Sequence, residues 1–81
     1  MRIRYSRSAV KAFADAPAKV QKNFLKQAEL LVQNLRHPSL RAKKYDEGKD
    51  RWQARVNQDW RFYFNLEADT YVILDITAHP K

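Results

Sequence analysis

The sequence predicts an α+β fold in which a short N-terminal strand and a helical hairpin precede an antiparallel β-meander, with both helices on one face of the sheet. In the first half of the chain, apolar residues recur at the spacing of a helical stripe. In the second half they alternate with polar residues, as in strands with one buried face. Since 81 residues leave room for one core, we expect residues 1–81 to form a single domain.

The chain begins with a short alternating segment and a helix-capping signal. Ile3 and Tyr5 flank Arg4, which predicts a strand over residues 2–5. A first helix is expected to follow, because the hydroxyl of Ser6 or Ser8 can accept a hydrogen bond from a free N–H of its first turn.

A second helix is predicted from Pro17, whose missing N–H costs nothing at the first helical position. Its apolar stripe has spacings of four, four, three and four residues: Val20, Phe24, Ala28, Leu31 and Leu35. We expect it to end at His37, because the residue before Pro38 is disfavoured in the α conformation.

Four segments rich in aromatic and β-branched residues predict strands in the back half. They are Leu40–Tyr45, Arg51–Asn57, Trp60–Glu67 and Tyr71–Ala78. Alternation in the last three predicts one apolar face for the helices to cover: Trp52, Ala54, Val56, Trp60, Phe62, Phe64, Leu66, Val72, Leu74 and Ile76.

Side-chain parity predicts how the strands pair, because residues opposite each other in an antiparallel pair share a face. A two-residue turn at Gln58-Asp59 would place Val56 opposite Arg61 and mix the two faces. A three-residue loop, residues 57–59, keeps the faces separate and brings Arg55 directly opposite Arg61. Two like charges in this position destabilise a sheet by up to about 1 kcal/mol unless a carboxylate or a bound anion lies between them.

The same reasoning predicts the composition of the sheet face that the helices leave open. Further expected pairs are Tyr45 with Arg51, Lys43 with Gln53, Arg41 with Arg55, and Arg61 with Asp75 or Thr77. The predicted members of the open face are Arg41, Lys43, Tyr45, Arg51, Arg55, Arg61, Tyr63, Tyr71, Asp75, Thr77 and His79. Arginines beside exposed tyrosines suit phosphates and unstacked bases.

Charge and composition narrow the classes of function. The formal net charge is +7, and residues 1–44 carry eleven of the 16 basic side chains but two of the nine acidic ones, which favours a polyanionic partner. The chain has no cysteine, which excludes disulfides, and its two histidines are too few to form a structural metal site by themselves. The longest apolar run is Tyr71–Leu74 and the N-terminus lacks the apolar block of a signal peptide, so we expect a cytoplasmic protein without a membrane span.

The segment from Trp52 to Phe64, WQARVNQDWRFYF, followed by a strand and a terminal His79-Pro80, resembles the RelE/ParE superfamily of type II toxins. The resemblance covers essentially the whole chain and implies the βααβββ(β) fold of RelE-like proteins. RelE-like members are implied to cleave mRNA in the ribosomal A site without metal or other cofactor. The 2′-hydroxyl attacks the adjacent phosphate, which requires a base, cations for the developing charge and an acid for the leaving oxygen.

The resemblance assigns roles to particular residues. Arg61 corresponds to an arginine that contacts the scissile phosphate, Arg55 to its supporting partner, and His79 to a histidine that transfers protons. The nucleic-acid-binding set that follows from the resemblance and the open face is Arg41, Lys43, Lys44, Arg51 and Tyr63. Pro80 and Lys81 stand where several relatives carry a catalytic tyrosine, and Glu47, a lysine or His79 is left as the candidate base.

Two alternatives on the same fold are a ParE-like inhibitor of DNA gyrase and a non-catalytic module that binds RNA or protein. The expected partners of a RelE-like toxin are a cognate antitoxin, the ribosome and mRNA. An antitoxin carboxylate that met Arg55 or Arg61 would supply the counter-charge that the open face lacks.

Overall fold

The computed structural model describes residues 1–46, 48 and 50–79. The elements are β1 (Arg2–Tyr5), α1 (Arg7–Asp15), α2 (Ala18–Gln33), a 3-10 helix (Pro38–Leu40), β2 (Lys43–Asp46), β3 (Arg51–Arg55), β4 (Trp60–Glu67) and β5 (Thr70–Ala78). The five strands form one sheet in the order β1-β5-β4-β3-β2. β1 pairs in parallel with β5, and the other neighbours are antiparallel, which confirms the predicted α+β architecture.

Ser6 is the residue that caps α1. Its Oγ accepts a hydrogen bond from the Ala9 N–H at 3.0 Å and donates one to the Leu74 carbonyl at 3.0 Å. A single hydroxyl therefore both starts the helix and attaches it to β5.

α2 differs from the prediction at both ends. Pro17 lies one position earlier than expected, just before the first helical residue. The helix ends at Gln33 rather than at His37, because the Asn34 N–H closes the last turn on the Leu30 carbonyl at 2.7 Å while the Asn34 Oδ1 accepts from the Arg36 N–H. Asparagine side chains that bond to nearby backbone in this way compete with helix formation.

The predicted strand Leu40–Tyr45 was wrong in its first three residues. Pro38–Leu40 form a 3-10 turn. The His37 ring caps its start, because its Nδ1 accepts a hydrogen bond from the Ser39 N–H at 3.2 Å. Leu40 is fully buried in the core, and Arg41 leaves the turn in a left-handed conformation with φ of 46°. β2 then pairs Lys43 with Gln53 as predicted, but it begins at Lys43, so the predicted pair of Arg41 with Arg55 does not form.

An irregularity between Lys44 and Asp46 changes the next predicted pair. Asp46, and not Tyr45, lies opposite Arg51, and Tyr45 is an additional residue in the bulge. The sequence pattern contained no signal for this insertion.

The β3–β4 hairpin has the predicted register. Arg55 pairs with Arg61, Ala54 with Phe62 and Trp52 with Phe64, across the three-residue loop. The Val56 N–H donates to the Trp60 carbonyl at 3.0 Å and closes that loop.

A bulge in β5 reverses part of the predicted alternation. Tyr63 pairs with Asp75 but Phe64 pairs with Ile73, so Leu74 is an extra residue. Every residue of β5 before Leu74 therefore exchanges faces, and Tyr71, expected on the open face, is buried in the core together with Ile73. Of the predicted core positions, Val72 is buried but lies outside that cluster, and Leu74 is half-buried.

The core lies between the helices and the sheet, around Phe24 of α2. The Phe24 ring makes edge-to-face contacts with Phe62 at 5.2 Å and Phe13 at 6.0 Å between ring centroids. Because α2 covers this side of β3 and β4, the polar residues that alternate with the core positions lie on the opposite side.

Candidate functional site

A cleft of about 350 Å³ opens on the sheet face away from α2. Its lining residues come from the segment after the 3-10 turn, from β2, β3 and β4, and from the C-terminal end of β5. They are Arg41, Lys43, Gln53, Ala54, Arg55, Arg61 and His79. Three arginines, one lysine and one histidine thus meet in one place although they span 39 positions of the sequence.

Arg55 and Arg61 are the centre of this cleft. They lie directly opposite each other on β3 and β4, both half-buried and both on the open face. No ion pair joins either arginine to a carboxylate within residues 1–46, 48 and 50–79. The two positive charges are therefore held together by the backbone register and not by a counter-ion.

The Arg61 guanidinium is fixed by the loop that precedes it. Its Nη1 donates to the carbonyls of Asn57 at 2.8 Å and Trp60 at 2.9 Å, with a longer contact to Gln58 at 3.3 Å. Burial lowers the pKa of Arg61 from its ordinary value, the charges of Arg55 and Arg41 lower it further, and Tyr63 and Asp59 oppose this shift in part. A bound anion in the cleft would relieve this repulsion.

Two groups of Arg55 bear on the site: the Nε of its side chain and its backbone carbonyl, which α2 holds. Its Nε is buried and has no hydrogen-bond partner among the residues that the structure describes. The pairing of β2 with β3 ends at Lys43 and Gln53, so β2 provides no partner in register for Arg55. The Arg55 carbonyl accepts a hydrogen bond from the side-chain amide of Gln27 at 2.8 Å. The same amide donates to the Ser39 carbonyl at 3.1 Å, in the 3-10 turn that leads to Arg41.

His79 reaches the cleft from the end of β5. Its backbone N–H donates to the Asp59 carbonyl at 2.7 Å, which attaches the end of the strand to the β3–β4 loop. Its ring is exposed, and an imidazole is the side chain that exchanges protons most readily near neutral pH.

The other predicted site residues lie elsewhere. Arg51 and Tyr63 line a neighbouring pocket on the same face. Lys44 pairs with Trp52 on the opposite face, where its ammonium lies 5.9 Å from that ring and forms an ion pair with Asp50 at 3.0 Å. Glu47, the candidate base, lies outside the described residues, as do Pro80 and Lys81.

Two glutamines of the site were not predicted from the sequence. Gln53 lines the cleft, and its parity with Arg51 and Arg55 already placed it on the open face. Gln27 is the buried polar residue of α2, and it interrupts the apolar stripe between Phe24 and Leu31. A polar residue at a core position is the signal that could have identified it.

No group of three or more His, Asp or Glu side chains in the described part of the chain is arranged to hold a metal ion. No helix among those residues has the length and apolar character needed to cross a membrane.

Comparison with solved structures identifies the architecture. A YoeB/ParE toxin from Agrobacterium tumefaciens superimposes with a TM-score of 0.81 at 9% identity, over 99% of this chain and 100% of the other. The chain has the fold of the RelE, YoeB and ParE toxins. The YoeB dimer from Staphylococcus aureus matches this fold with a TM-score of 0.80 at 14% identity, covering 99% and 98% of the two chains.

RelE in the RelE–RelB complex of Pyrococcus horikoshii OT3 has a TM-score of 0.75 at 21% identity, with 95% of this chain and 92% of that chain covered. No family model matches the sequence. No curated protein matches it either. The likeness to these toxins is therefore one of structure, and it confirms the RelE-like fold that the sequence predicted.

Proposed function

We propose that this protein is the toxin of a type II toxin–antitoxin system and that it inhibits translation by cleaving mRNA on the ribosome. The observation that carries the proposal is that Arg55 and Arg61 lie opposite each other in the strand register and both line an open cleft shared with Arg41 and His79. A phosphodiester is the ligand that such a cluster suits, because planar guanidinium groups bind phosphate oxygens in pairs.

The proposed reaction uses the RNA as its own nucleophile. The 2′-oxygen bonds to the adjacent phosphorus, the bond from phosphorus to the 5′-oxygen breaks, and a cyclic 2′,3′-phosphate and a 5′-hydroxyl result. Arg61 and Arg55 stabilise the additional negative charge of the phosphorane in the transition state. The 2′-hydroxyl loses a proton and the leaving 5′-oxygen gains one, and His79 makes one of these two transfers while water makes the other. Arg41 and Lys43 hold the flanking phosphates.

A protein partner is part of this proposal. RelE of P. horikoshii is seen in complex with RelB, and YoeB of S. aureus in complex with YefM. We propose a cognate antitoxin for this chain as well, with an acidic segment that neutralises Arg55 and Arg61. Co-purification with the product of an adjacent short acidic reading frame, and loss of toxicity when the two are expressed together, is the expected result.

The decisive experiment is translation of a defined message in vitro with purified protein, followed by primer extension. Wild-type protein is expected to produce discrete cuts, and Arg61→Ala to reduce them by about 100-fold or more, the usual cost of one lost transition-state donor. Because Arg61 also holds the β3–β4 loop, Arg55→Gln is tested in parallel, with circular dichroism to verify folding. Arg7→Gln, on the exposed first turn of α1, is the matched control for lost charge.

The rival functions give different results in the same experiment. An intact message with arrested translation would identify a non-catalytic binding protein, and DNA damage without translational arrest would identify a gyrase inhibitor. Cut patterns that are unchanged in Arg61→Ala and Arg55→Gln would overturn the assignment of these residues.

A further inference from the structure

A second pocket lies beside the cleft on the same sheet face. Its volume is about 380 Å³, and it is lined by Ser8, Tyr45, Arg51, Tyr63, Leu74 and Asp75. Tyr63 follows Arg61 by two residues along β4, which places it about 7 Å from the cleft centre. The Gln53 side chain, which lines the cleft, donates to the Tyr63 hydroxyl at 3.3 Å and connects the two sites.

The two tyrosines provide an aromatic platform. The centroids of the Tyr45 and Tyr63 rings lie 5.4 Å apart with an angle of 66° between their planes. Tyr45 is 60% exposed, although it belongs to a strand of the sheet. In this edge-to-face arrangement the Tyr63 ring supports Tyr45 without covering both of its faces, so a flat ligand can stack on it.

Arg51 provides a hydrogen-bond donor and Asp75 an acceptor in this pocket. Both line the pocket, yet no ion pair joins them within the described ranges. The Arg51 Nε is buried and has no hydrogen-bond partner in the described part of the chain. Asp75 uses Oδ1 to accept from the Ile76 N–H at 2.9 Å, and no bond within the described ranges engages its Oδ2.

We propose that this pocket binds the base of the nucleotide next to the phosphate in the cleft, and that Asp75 selects bases with an exocyclic amino group over uracil. The inference rests on the proposed function of the cleft as an RNA phosphate site. A base stacks on Tyr45, its amino group donates to Asp75, and Arg51 donates to a ring nitrogen or carbonyl oxygen of the same base. Uracil has a carbonyl oxygen where cytosine has its amino group, and a carboxylate repels it.

The test is binding of short single-stranded RNAs that carry a 2′-O-methyl group at every sugar, so that no cleavage follows. The oligonucleotides differ at one central base, and fluorescence anisotropy gives their affinities. Wild-type protein is expected to bind the cytosine form about 10-fold more tightly than the uracil form, the discrimination typical of a good base contact. Asp75→Asn, whose amide both donates and accepts, is expected to remove that preference, whereas Asp15→Asn at the exposed end of α1 leaves it unchanged.

Tyr45→Ala is expected to weaken binding of all the oligonucleotides by about 10-fold, the usual loss for one stacked base. Binding that depends on Arg55 but is the same in wild type, Asp75→Asn and Tyr45→Ala would overturn the pocket and leave the cleft intact. Absence of RNA binding by wild type would also overturn the pocket. The proposed function is judged separately by message cleavage on the ribosome, so the two failures are distinguishable.

Discussion

Replacement of Gln27 by methionine tests whether a buried side chain behind the sheet holds the arginines of the cleft in place. Methionine has nearly the same length and volume as glutamine but cannot donate hydrogen bonds. The variant loses the contacts to the Arg55 carbonyl at 2.8 Å and the Ser39 carbonyl at 3.1 Å. These carbonyls belong to the strand that carries Arg55 and to the turn that precedes Arg41.

The expected loss of stability follows from those two bonds. Gln27 is 6% exposed, so water does not readily replace the missing donors. Each of the two carbonyls that loses its buried donor costs about 1–3 kcal/mol, which gives a total of about 2–6 kcal/mol. At about 4–8 °C per kcal/mol for a domain of this size, the melting temperature falls by at least about 8 °C.

The assay combines thermal unfolding with message cleavage at a temperature where the variant is fully folded. Gln33→Met is the matched control, because Gln33 is exposed on the last turn of the same helix. Gln27→Met is expected to cleave less than wild type under these conditions, since Arg55 and Arg41 are less well positioned. Equal melting temperatures for Gln27→Met and Gln33→Met would refute the stability argument, and full cleavage by folded Gln27→Met would refute the positioning role.

Three further predictions concern the cap of α1, the charge of the cleft and a buried tyrosine. Ser6→Ala removes the cap and the bond to Leu74, and it is expected to lower the free energy of unfolding by about 1–2 kcal/mol in urea titrations, whereas Ser8→Ala has little effect. Arg55→Gln is expected to reduce the salt dependence of RNA binding, with the slope of log K against log salt smaller by about 0.7 for one lost phosphate contact. Burial raises the pKa of Tyr71 above its ordinary value of 10.0, so the unfolded chain loses this proton first and stability falls as the pH rises above 10. Tyr71→Phe removes the hydroxyl and with it this part of the pH dependence of stability. Its melting temperature is expected to fall less steeply than that of wild type between neutral pH and pH values above 10.

The sequence by itself determined the order of the elements and the central hairpin. Helical and alternating apolar patterns are local properties of the chain, so the helical hairpin and the meander could be predicted from them. The opposition of Arg55 and Arg61 could also be predicted from the alternation. A three-residue loop keeps Phe62 and Ala54 on one face, whereas a two-residue turn does not.

The tertiary structure decided where that alternation is interrupted and what surrounds the arginines. The additional residue Tyr45 leaves no trace in the periodicity. The additional residue Leu74 lies in the apolar run Tyr71–Leu74, where alternation is lost but the run does not show which residue is the extra one, and this bulge moved Tyr71 from the predicted open face into the core. The interaction of Gln27 with the Arg55 carbonyl joins positions 28 residues apart, and a one-dimensional pattern does not encode such a contact. Bulges and buried polar bonds are fixed by the fit of α1 and α2 against the whole sheet, and this fit exists only once the chain has folded.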